Sequence, residues 1–132
     1  MAGPGVAVAV VVRDGRVLMV RRRMEDGALW WQFPAGEIRD GESAEAAAVR
    51  ETAEQTGLTV TAGRLLGERV HPVNGRRMSY FACPVVAGTA SVDGVGDLVA
   101  LEWVPHGRLA EYVPSGLCGP VRAYLDAELR RD

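Results

Sequence analysis

The chain has 132 residues, a length that suits one hydrophobic core, and we expect a single domain over residues 1–132. Its formal net charge of −2 gives no basis for binding nucleic-acid polymers or anionic membranes, and no apolar run approaches the roughly 20 residues that cross a bilayer. Two cysteines are too few for a disulfide framework, and the N-terminus lacks the basic segment of a signal peptide, so we expect a cytoplasmic protein. The sequence leaves open whether it is a monomer or a homodimer.

The N-terminal part of the sequence predicts short strands joined by tight turns. Residues 6–12 form a β-branched and alanine run that is typical of a strand buried on both faces. Asp14 and Gly15 form a hairpin signal, so residues 16–22 are expected to return as a second strand. After a polar loop, the aromatic segment 29–33 predicts a third strand.

The stretch 36–58, GEIRDGESAEAAAVRETAEQTGL, predicts a glycine-containing loop followed by a helix. Ser43 lies where an N-cap belongs, and Gly57 lies where a left-handed residue ends a helix. The spacing i, i+3, i+4 puts three oxygen-bearing side chains on one helix face. These are Glu51, Glu54 and Gln55.

The opposite face of this helix is expected to pack on the core. Ala46, Val49 and Ala53 form its apolar stripe. The small residues Ala47 and Ala48 are expected on the flanks, where they would leave space beside the carboxylates.

The C-terminal part predicts further strands and a final helix. One or two strands are expected at residues 59–70, and single strands at 78–86 and 98–104. Pro84 indicates a bulge or an edge, because proline cannot donate a ladder hydrogen bond. Loops are expected at residues 88–97 and 105–119, the second with one helical turn. Pro120 suits the first turn of the last helix, whose apolar stripe is Val121, Tyr124, Leu125 and Leu129.

The central stretch resembles the signature of the Nudix hydrolases. After Gly36, five residues precede Glu42, and seven more precede residues 50–58, RETAEQTGL. The family pattern is Gly, five residues, Glu, seven residues, Arg-Glu, an apolar residue, any residue, Glu-Glu, any residue, Gly and an apolar residue. Thr52 and Gln55 depart from it. Without the upstream spacing, the carboxylates alone would indicate only a solvated helix face.

The resemblance implies an α/β/α sandwich, with a mixed β-sheet, a central catalytic helix and a C-terminal helix. The mixed strands and two helices of the sequence predict the same layers. The residues that shape the loop and helix in this reading are Gly36, Glu42, Arg50 and Gly57.

The resemblance also implies hydrolysis of a phosphoanhydride bond that depends on Mg²⁺, with Mn²⁺ as a substitute. Carboxylates suit such an ion, which neutralises phosphate charge and activates water. The implied catalytic residues are Glu51, Glu54 and Gln55. The implied metal ligands are these three, the backbone carbonyl of Ala35, and Glu102 from a distant strand.

Gln55 replaces the second glutamate of the family pair, so the site loses one negative charge. We therefore expect weaker metal affinity and a slow but active enzyme, with Glu102 as the candidate to compensate.

The expected partner is a small nucleotide, and three functions stay open. The first is hydrolysis of a nucleoside triphosphate, oxidised or modified ones included, to a monophosphate and pyrophosphate. The second is an ADP-ribose or nucleotide-sugar pyrophosphatase, and the third is a catalytically weak nucleotide sensor. Candidate substrate-binding residues are Arg22, Trp31, Phe33 and Arg76, with Trp30 as a further stacking aromatic. A surface arginine or a core aromatic is an equally good interpretation of these positions.

Overall fold

The computed structural model describes residues 3–92, 96–114 and 116–130. The loop predicted at 88–97 and the one at 105–119 each fall partly outside these residues, at 93–95 and at 115. The strands are β1 Val6–Val10, β2 Val12–Arg13, β3 Arg16–Arg23, β4 Leu29–Gln32, β5 Ala35–Glu37, β6 Thr59–Val60, β7 Leu65–Val70, β8 Arg77–Ala82, β9 Val85–Ala87 and β10 Leu98–Val104. The helices are α1 Ala44–Thr56, α2 Leu109–Tyr112 and α3 Gly119–Glu128, with a 3₁₀ turn at His106–Arg108.

The central strands form a mixed arrangement, as the sequence predicts. One sheet has the order β5-β1-β8-β7, in which β1 and β8 are parallel and the other neighbours are antiparallel. In a second sheet, β3 pairs antiparallel with β10, β2 and β4. Strands β6 and β9 form a separate antiparallel pair.

The strand β1 is buried on both faces and separates two clusters of core residues. Val8 packs in the cluster that contains Leu125 of α3, whereas Ala9 packs in the cluster that contains Ala48 of α1. Successive side chains of a strand point to opposite faces, so α1 and α3 lie on opposite sides of the sheet. This arrangement confirms the α/β/α sandwich.

Several predicted strands differ from the structure in their bounds. The first strand ends at Val10, because the backbone leaves β8 there and the carbonyl of Val11 accepts from Leu18 of β3 instead. Pro84 splits the predicted strand 78–86 into β8 and β9. The segment after the aromatic strand, predicted as loop, forms β5, in which Gly36 pairs with β1.

The ends of α1 are confirmed, but its buried face is not the predicted one. Ala47 and Ala48 are 0% and 1% exposed and face the core. Ala46 and Ala53 are exposed and Val49 is half-buried. The predicted core stripe of the helix was therefore wrong, and the two alanines assigned to its flanks form the packing surface.

Two threonines explain the shift of the buried face. Thr52 and Thr56 are both fully buried. The Thr52 hydroxyl donates to the carbonyl of Ala48 at 2.8 Å, and the Thr56 hydroxyl donates to the carbonyl of Thr52 at 2.7 Å. Because the helix backbone satisfies each hydroxyl, the two side chains pack like apolar residues.

The C-terminal helix follows its predicted pattern. Val121 and Leu125 are fully buried, and Tyr124 packs partly against the same cluster. The helix ends at Glu128, so Leu129, the last residue of the predicted stripe, lies just beyond the helix, although it is buried in the same cluster. No helix in the described ranges has both the length and the apolar character that crossing a membrane requires.

Candidate active site

A cleft of about 900 Å³ lies between the start of β5, one face of α1 and the β7–β8 turn. Three side chains of α1 line it, Glu51, Glu54 and Gln55. Ala35 and Gly36 of β5 border the same space. The tertiary structure thus brings the residues of α1 and of β5 into one cleft.

Gly36 allows Glu51 to lie directly against β5. A Cβ atom added at Gly36 would overlap the Glu51 carboxylate. Since any other residue carries that atom, the carboxylate occupies space that only glycine leaves open.

Arg50 connects the loop to the helix through several acceptors. Its Nε and Nη2 donate to the two carboxylate oxygens of Glu42 at 2.8 and 2.9 Å. Nη2 also donates to the carbonyl of Glu37 at 3.0 Å, and Nη1 donates to Glu51 Oε1 at 2.6 Å. Bidentate arginine–carboxylate pairs of this kind are strong and directional, so Arg50 sets the position of Glu51 relative to the loop.

Glu42 is held in its charged form by the same contacts. The hydrogen bonds from Arg50 lower the pKa of Glu42 from 4.5 to about 2, and the backbone amide of Arg39, which donates at 3.0 Å, adds to this effect. A depressed pKa in the folded state stabilises the fold above the ordinary pKa, and this contribution disappears as the pH falls from 4.5 towards 2.

We therefore expect Glu42→Gln to lower the Tm at pH 7, and this difference from the wild type to shrink as the pH falls towards 2, where Glu42 becomes protonated and so loses its charge. Thermal unfolding followed by circular dichroism between pH 2 and pH 7 measures it. Glu45→Gln, on the exposed first turn of α1, is the control and should follow the wild-type curve closely. A Tm difference for Glu42→Gln that is constant across this range would contradict the expectation.

Gln55 bridges α1 and β5. Its Nε2 donates to the carbonyl of Ala35 at 2.7 Å and to Glu51 Oε2 at 3.1 Å. Its Oε1 is buried and accepts no hydrogen bond from the residues that the structure describes.

The oxygen atoms around Gln55 fit a divalent cation. The Ala35 carbonyl oxygen and Glu51 Oε2 lie within hydrogen-bond distance of one common atom, and the unpartnered Gln55 Oε1 belongs to the same amide. A carboxylate, a peptide carbonyl and an amide carbonyl are hard ligands of the kind Mg²⁺ takes, with its other positions left to phosphate and water. Since the described residues contain no cluster of three or more His, Cys, Asp or Glu side chains suited to a metal, the fit depends on the two uncharged oxygens.

The other two predicted metal ligands differ in position. Glu54 lies at the rim of the cleft, where its 48% exposed side chain is 3.3 Å from Arg50 and 3.8 Å from Arg39. Glu102 is exposed on β10 opposite Met19 and is absent from the described residues that line the cleft. Its neighbours Leu101 and Trp103 pack against the core cluster that contains Ala48 of α1, so Glu102, which lies between them, points to the other face of β10.

The aromatic residues of the cleft are unequally exposed. Trp30 is 58% exposed, whereas Phe33 is 6% exposed and belongs to the core. Trp31 is half-buried, with its ring edge-on to Tyr112 at a centroid distance of 4.8 Å and the guanidinium of Arg21 at 5.5 Å. Of the three candidates, Trp30 presents the most open ring surface.

Two of the predicted substrate-binding arginines line the cleft. Arg22 Nη2 lies 3.9 Å from Asp97 Oδ2. Arg76 Nε donates to the carbonyl of Pro4 at 2.8 Å, and its Nη2 lies 3.2 Å from Glu37 Oε2, an ion pair without hydrogen-bond geometry. Both guanidinium groups therefore border the space that a ligand would fill.

The sequence interpretation missed several lining residues. Arg69 and Tyr80 come from neighbouring strands, β7 and β8, and no local pattern marks them. Burial raises the pKa of Tyr80, so its hydroxyl stays protonated at neutral pH. Asp97 follows the glycine-rich loop and is recognisable only from its proximity to Arg22.

Known proteins are similar to this chain in sequence. The family model of the NUDIX domain matches residues 3–117. A putative 8-oxo-dGTP diphosphatase from Bacillus subtilis is 35% identical over 105 residues, which cover 80% of this chain and 68% of that protein. An RNA pyrophosphohydrolase from Caulobacter vibrioides is 47% identical over 64 residues, but these cover 48% of this chain and only 36% of that protein.

Solved structures agree on the architecture. The solution structure of the E. coli ORF135 protein has a TM-score of 0.69 and 27% identity, with 93% of this chain and 86% of that chain covered. A NUDIX hydrolase from Nitrosomonas europaea has a TM-score of 0.76 and 22% identity, with 96% of this chain and 92% of that chain covered. Because the identity is this low, the likeness shows the fold alone. The chain belongs to the Nudix hydrolase family.

Proposed function

We propose that this enzyme hydrolyses a nucleoside triphosphate, with Mg²⁺ or Mn²⁺, to a nucleoside monophosphate and pyrophosphate. The observation that carries the proposal is the convergence of Glu51, Gln55 and the Ala35 carbonyl at one point of an open cleft. The name of the Bacillus subtilis relative supports an oxidised or modified triphosphate as the substrate. The proposed functional unit is the single domain of residues 1–132, acting in the cytoplasm as a monomer or a homodimer.

The side chains around this point have distinct proposed roles. A bound divalent ion would neutralise phosphate charge and make water a better nucleophile. Glu51 is the best placed carboxylate to hold the ion and to take a proton from water, since Arg50 fixes its Oε1 while Oε2 points to Gln55. Glu54, at the exposed rim, would hold outer water or a second ion.

The rest of the cleft offers groups for the nucleotide itself. The exposed ring of Trp30 is the proposed stacking surface for the base, because it is accessible and uncharged. Arg22 and Arg76 are the proposed donors to phosphate or ribose oxygens.

The proposal is tested by a hydrolysis screen with Mg²⁺ or Mn²⁺, in which the products are identified. The panel contains canonical, oxidised and methylated nucleoside triphosphates, ADP-ribose and nucleotide sugars. We expect release of pyrophosphate from at least one triphosphate. If no compound is cleaved but some raise the Tm, the chain is a nucleotide sensor and the proposed enzyme function is wrong.

A second candidate function is removal of pyrophosphate from triphosphorylated RNA. The match to the RNA pyrophosphohydrolase, 47% over 64 residues, favours it. A short RNA with a 5′-triphosphate therefore belongs in the same screen. Cleavage of this RNA at a higher kcat/KM than any free triphosphate would replace the first candidate by the second.

Gly36→Ala is expected to lower kcat/KM by about a hundredfold. The added Cβ would displace the Glu51 carboxylate from the position in which it would hold the ion and activate water. The fold should persist, since the overlap involves the end of a flexible side chain. Gly119→Ala in α3, where an added Cβ meets no atom within 4 Å among the described residues, is the matched control. Wild-type kinetics for Gly36→Ala would show that the Glu51 position does not matter.

A further inference from the structure

A single nitrogen atom holds two acceptors of the site together. Gln55 Nε2 carries two N–H groups, and it lies 2.7 Å from the Ala35 carbonyl oxygen and 3.1 Å from Glu51 Oε2. Only the nitrogen end of the amide can face two acceptors, so this pattern fixes which way the amide points. The nitrogen thus lies between the two oxygens that the metal site would use.

These two oxygens need a positive partner between them. Glu51 Oε1 already accepts from Arg50 at 2.6 Å, which leaves Oε2 to be neutralised from the cleft side. The Gln55 amide hydrogens carry partial positive charge and provide this partner. A glutamate at position 55 could not, because at neutral pH it would present a second carboxylate to Glu51 and no donor to Ala35.

We propose that the Gln55 amide is a built-in substitute for the divalent cation, which keeps the site assembled when no metal is bound. With the Gln55 amide turned about its last rotatable bond, Oε1, the Ala35 carbonyl and Glu51 Oε2 would be the residue atoms that hold the ion, and Nε2 would no longer lie between the other two. This inference rests on the proposed metal-dependent function and adds a competition between the ion and a side chain of the chain itself.

The buried Oε1 atom supports the turnover. In the described residues it accepts no hydrogen bond, so the present orientation satisfies the nitrogen and leaves the oxygen unpaired. Turning the amide without an ion would point oxygen lone pairs at two other oxygens, which is repulsive. With a divalent ion bound, all three oxygens would be ligands, so the orientation of the amide would depend on the metal.

The competition has two measurable consequences. The metal-free protein should be nearly as stable as the metal-bound protein, because hydrogen bonds replace the ligand bonds. Metal binding should be weaker than at a carboxylate, because two hydrogen bonds must break before the ion is held.

Thermal unfolding of Gln55→Glu with EDTA and with Mg²⁺ tests the first consequence. In EDTA we expect its Tm to lie about 5 °C below that of the wild type, and in Mg²⁺ to return to the wild-type value or above. The wild type should shift little between the two conditions. Gln32→Glu adds the same charge to another residue that lines the cleft, and its Tm difference from the wild type should be the same with and without metal.

Mn²⁺ binding, followed by electron paramagnetic resonance, tests the second consequence. Gln55→Glu should bind Mn²⁺ at least about tenfold more tightly than the wild type, and Gln55→Leu, which has no ligand atom, should bind it more weakly than both. The two measurements separate a metal-linked role of Gln55 from a purely structural one. If the role were purely structural, Gln55→Glu would lower the Tm by the same amount in EDTA and in Mg²⁺.

The inference is overturned if Gln55→Glu is as stable as the wild type in EDTA, or if its loss of Tm is not recovered by Mg²⁺. Neither measurement uses hydrolysis. If the Tm and Mn²⁺ results hold while the substrate screen shows no cleavage, the proposed activity fails and the cation substitution stands. If a substrate is cleaved but Gln55→Glu does not lose Tm in EDTA and regain it in Mg²⁺, the proposed activity stands and only the proposal that Gln55 substitutes for the cation is wrong.

Discussion

Replacing Glu51 with glutamine is expected to reduce kcat/KM by at least about a hundredfold while the Tm changes little. The carboxylate is only 16% exposed, is held by Arg50 at 2.6 Å, and lies against β5 where Gly36 leaves space. Glutamine keeps the shape of the side chain but removes the charge that would hold the ion and the proton acceptor that would activate water. The loss should therefore appear in turnover much more than in folding.

Two further substitutions on the same helix make this result interpretable. Glu54→Gln should cost less than Glu51→Gln, because Glu54 is 48% exposed and water screens its charge. Glu45→Gln, in the exposed first turn, should leave hydrolysis unchanged. An active Glu51→Gln enzyme, or equal losses for all three variants, would show that the acidic face acts only through its general charge. Steady-state kinetics with varied Mg²⁺ measure kcat/KM, and thermal unfolding followed by circular dichroism at pH 7 measures the Tm.

Replacing Arg50 with lysine is expected to lower the Tm by about 5 °C and to reduce activity as well. Lysine keeps the positive charge but cannot donate in parallel to both Glu42 oxygens while also reaching Glu37 and Glu51. The segment from β5 to Glu42 and the Glu51 carboxylate would therefore lose the residue that holds both in place. Because one residue positions both, stability and turnover should fall together.

The pH dependence of the Arg50→Lys variant provides an independent check. Arg50 is the main cause of the low pKa of Glu42, so the variant should lose stability already at a higher pH than the wild type as acid is added. Arg122→Lys, on the exposed side of α3, is the matched control and should behave as the wild type. A variant with a lower Tm but an unchanged acid transition would contradict the link between Arg50 and Glu42.

Much of the site could be predicted from local sequence because its signals act over a few residues. The cap at Ser43, the end at Gly57 and the i, i+3, i+4 spacing of the acidic face all depend on contacts within one or two helical turns. The strand at residues 98–104 has the predicted bounds for a similar reason, since a continuous run of strand-forming residues is bounded by a loop and by Pro105.

Other features of the site depend on contacts between residues that are distant in sequence, and the sequence did not predict them. Which face of α1 is buried depends on its packing against the sheet, where Ala48 lies in one core cluster with Ala9 of β1. The position of Glu102 depends on the pairing of β10 with β3. The contact between Gln55 and the Ala35 carbonyl, 20 positions apart, exists only because β5 joins the sheet beside β1 under α1.

The sequence by itself therefore determined the family, the layered fold and the helix that carries the acidic face, because periodicity, caps and spacing are local properties of the chain. Only the tertiary structure decided that Gln55 donates to Ala35 and Glu51 between the helix and the strand, that Trp30 is open while Phe33 is buried, and that Glu102 lies elsewhere. The physical reason is that strand pairing and burial are set by the packing of the whole chain, and a single position in the sequence does not encode its distant neighbours.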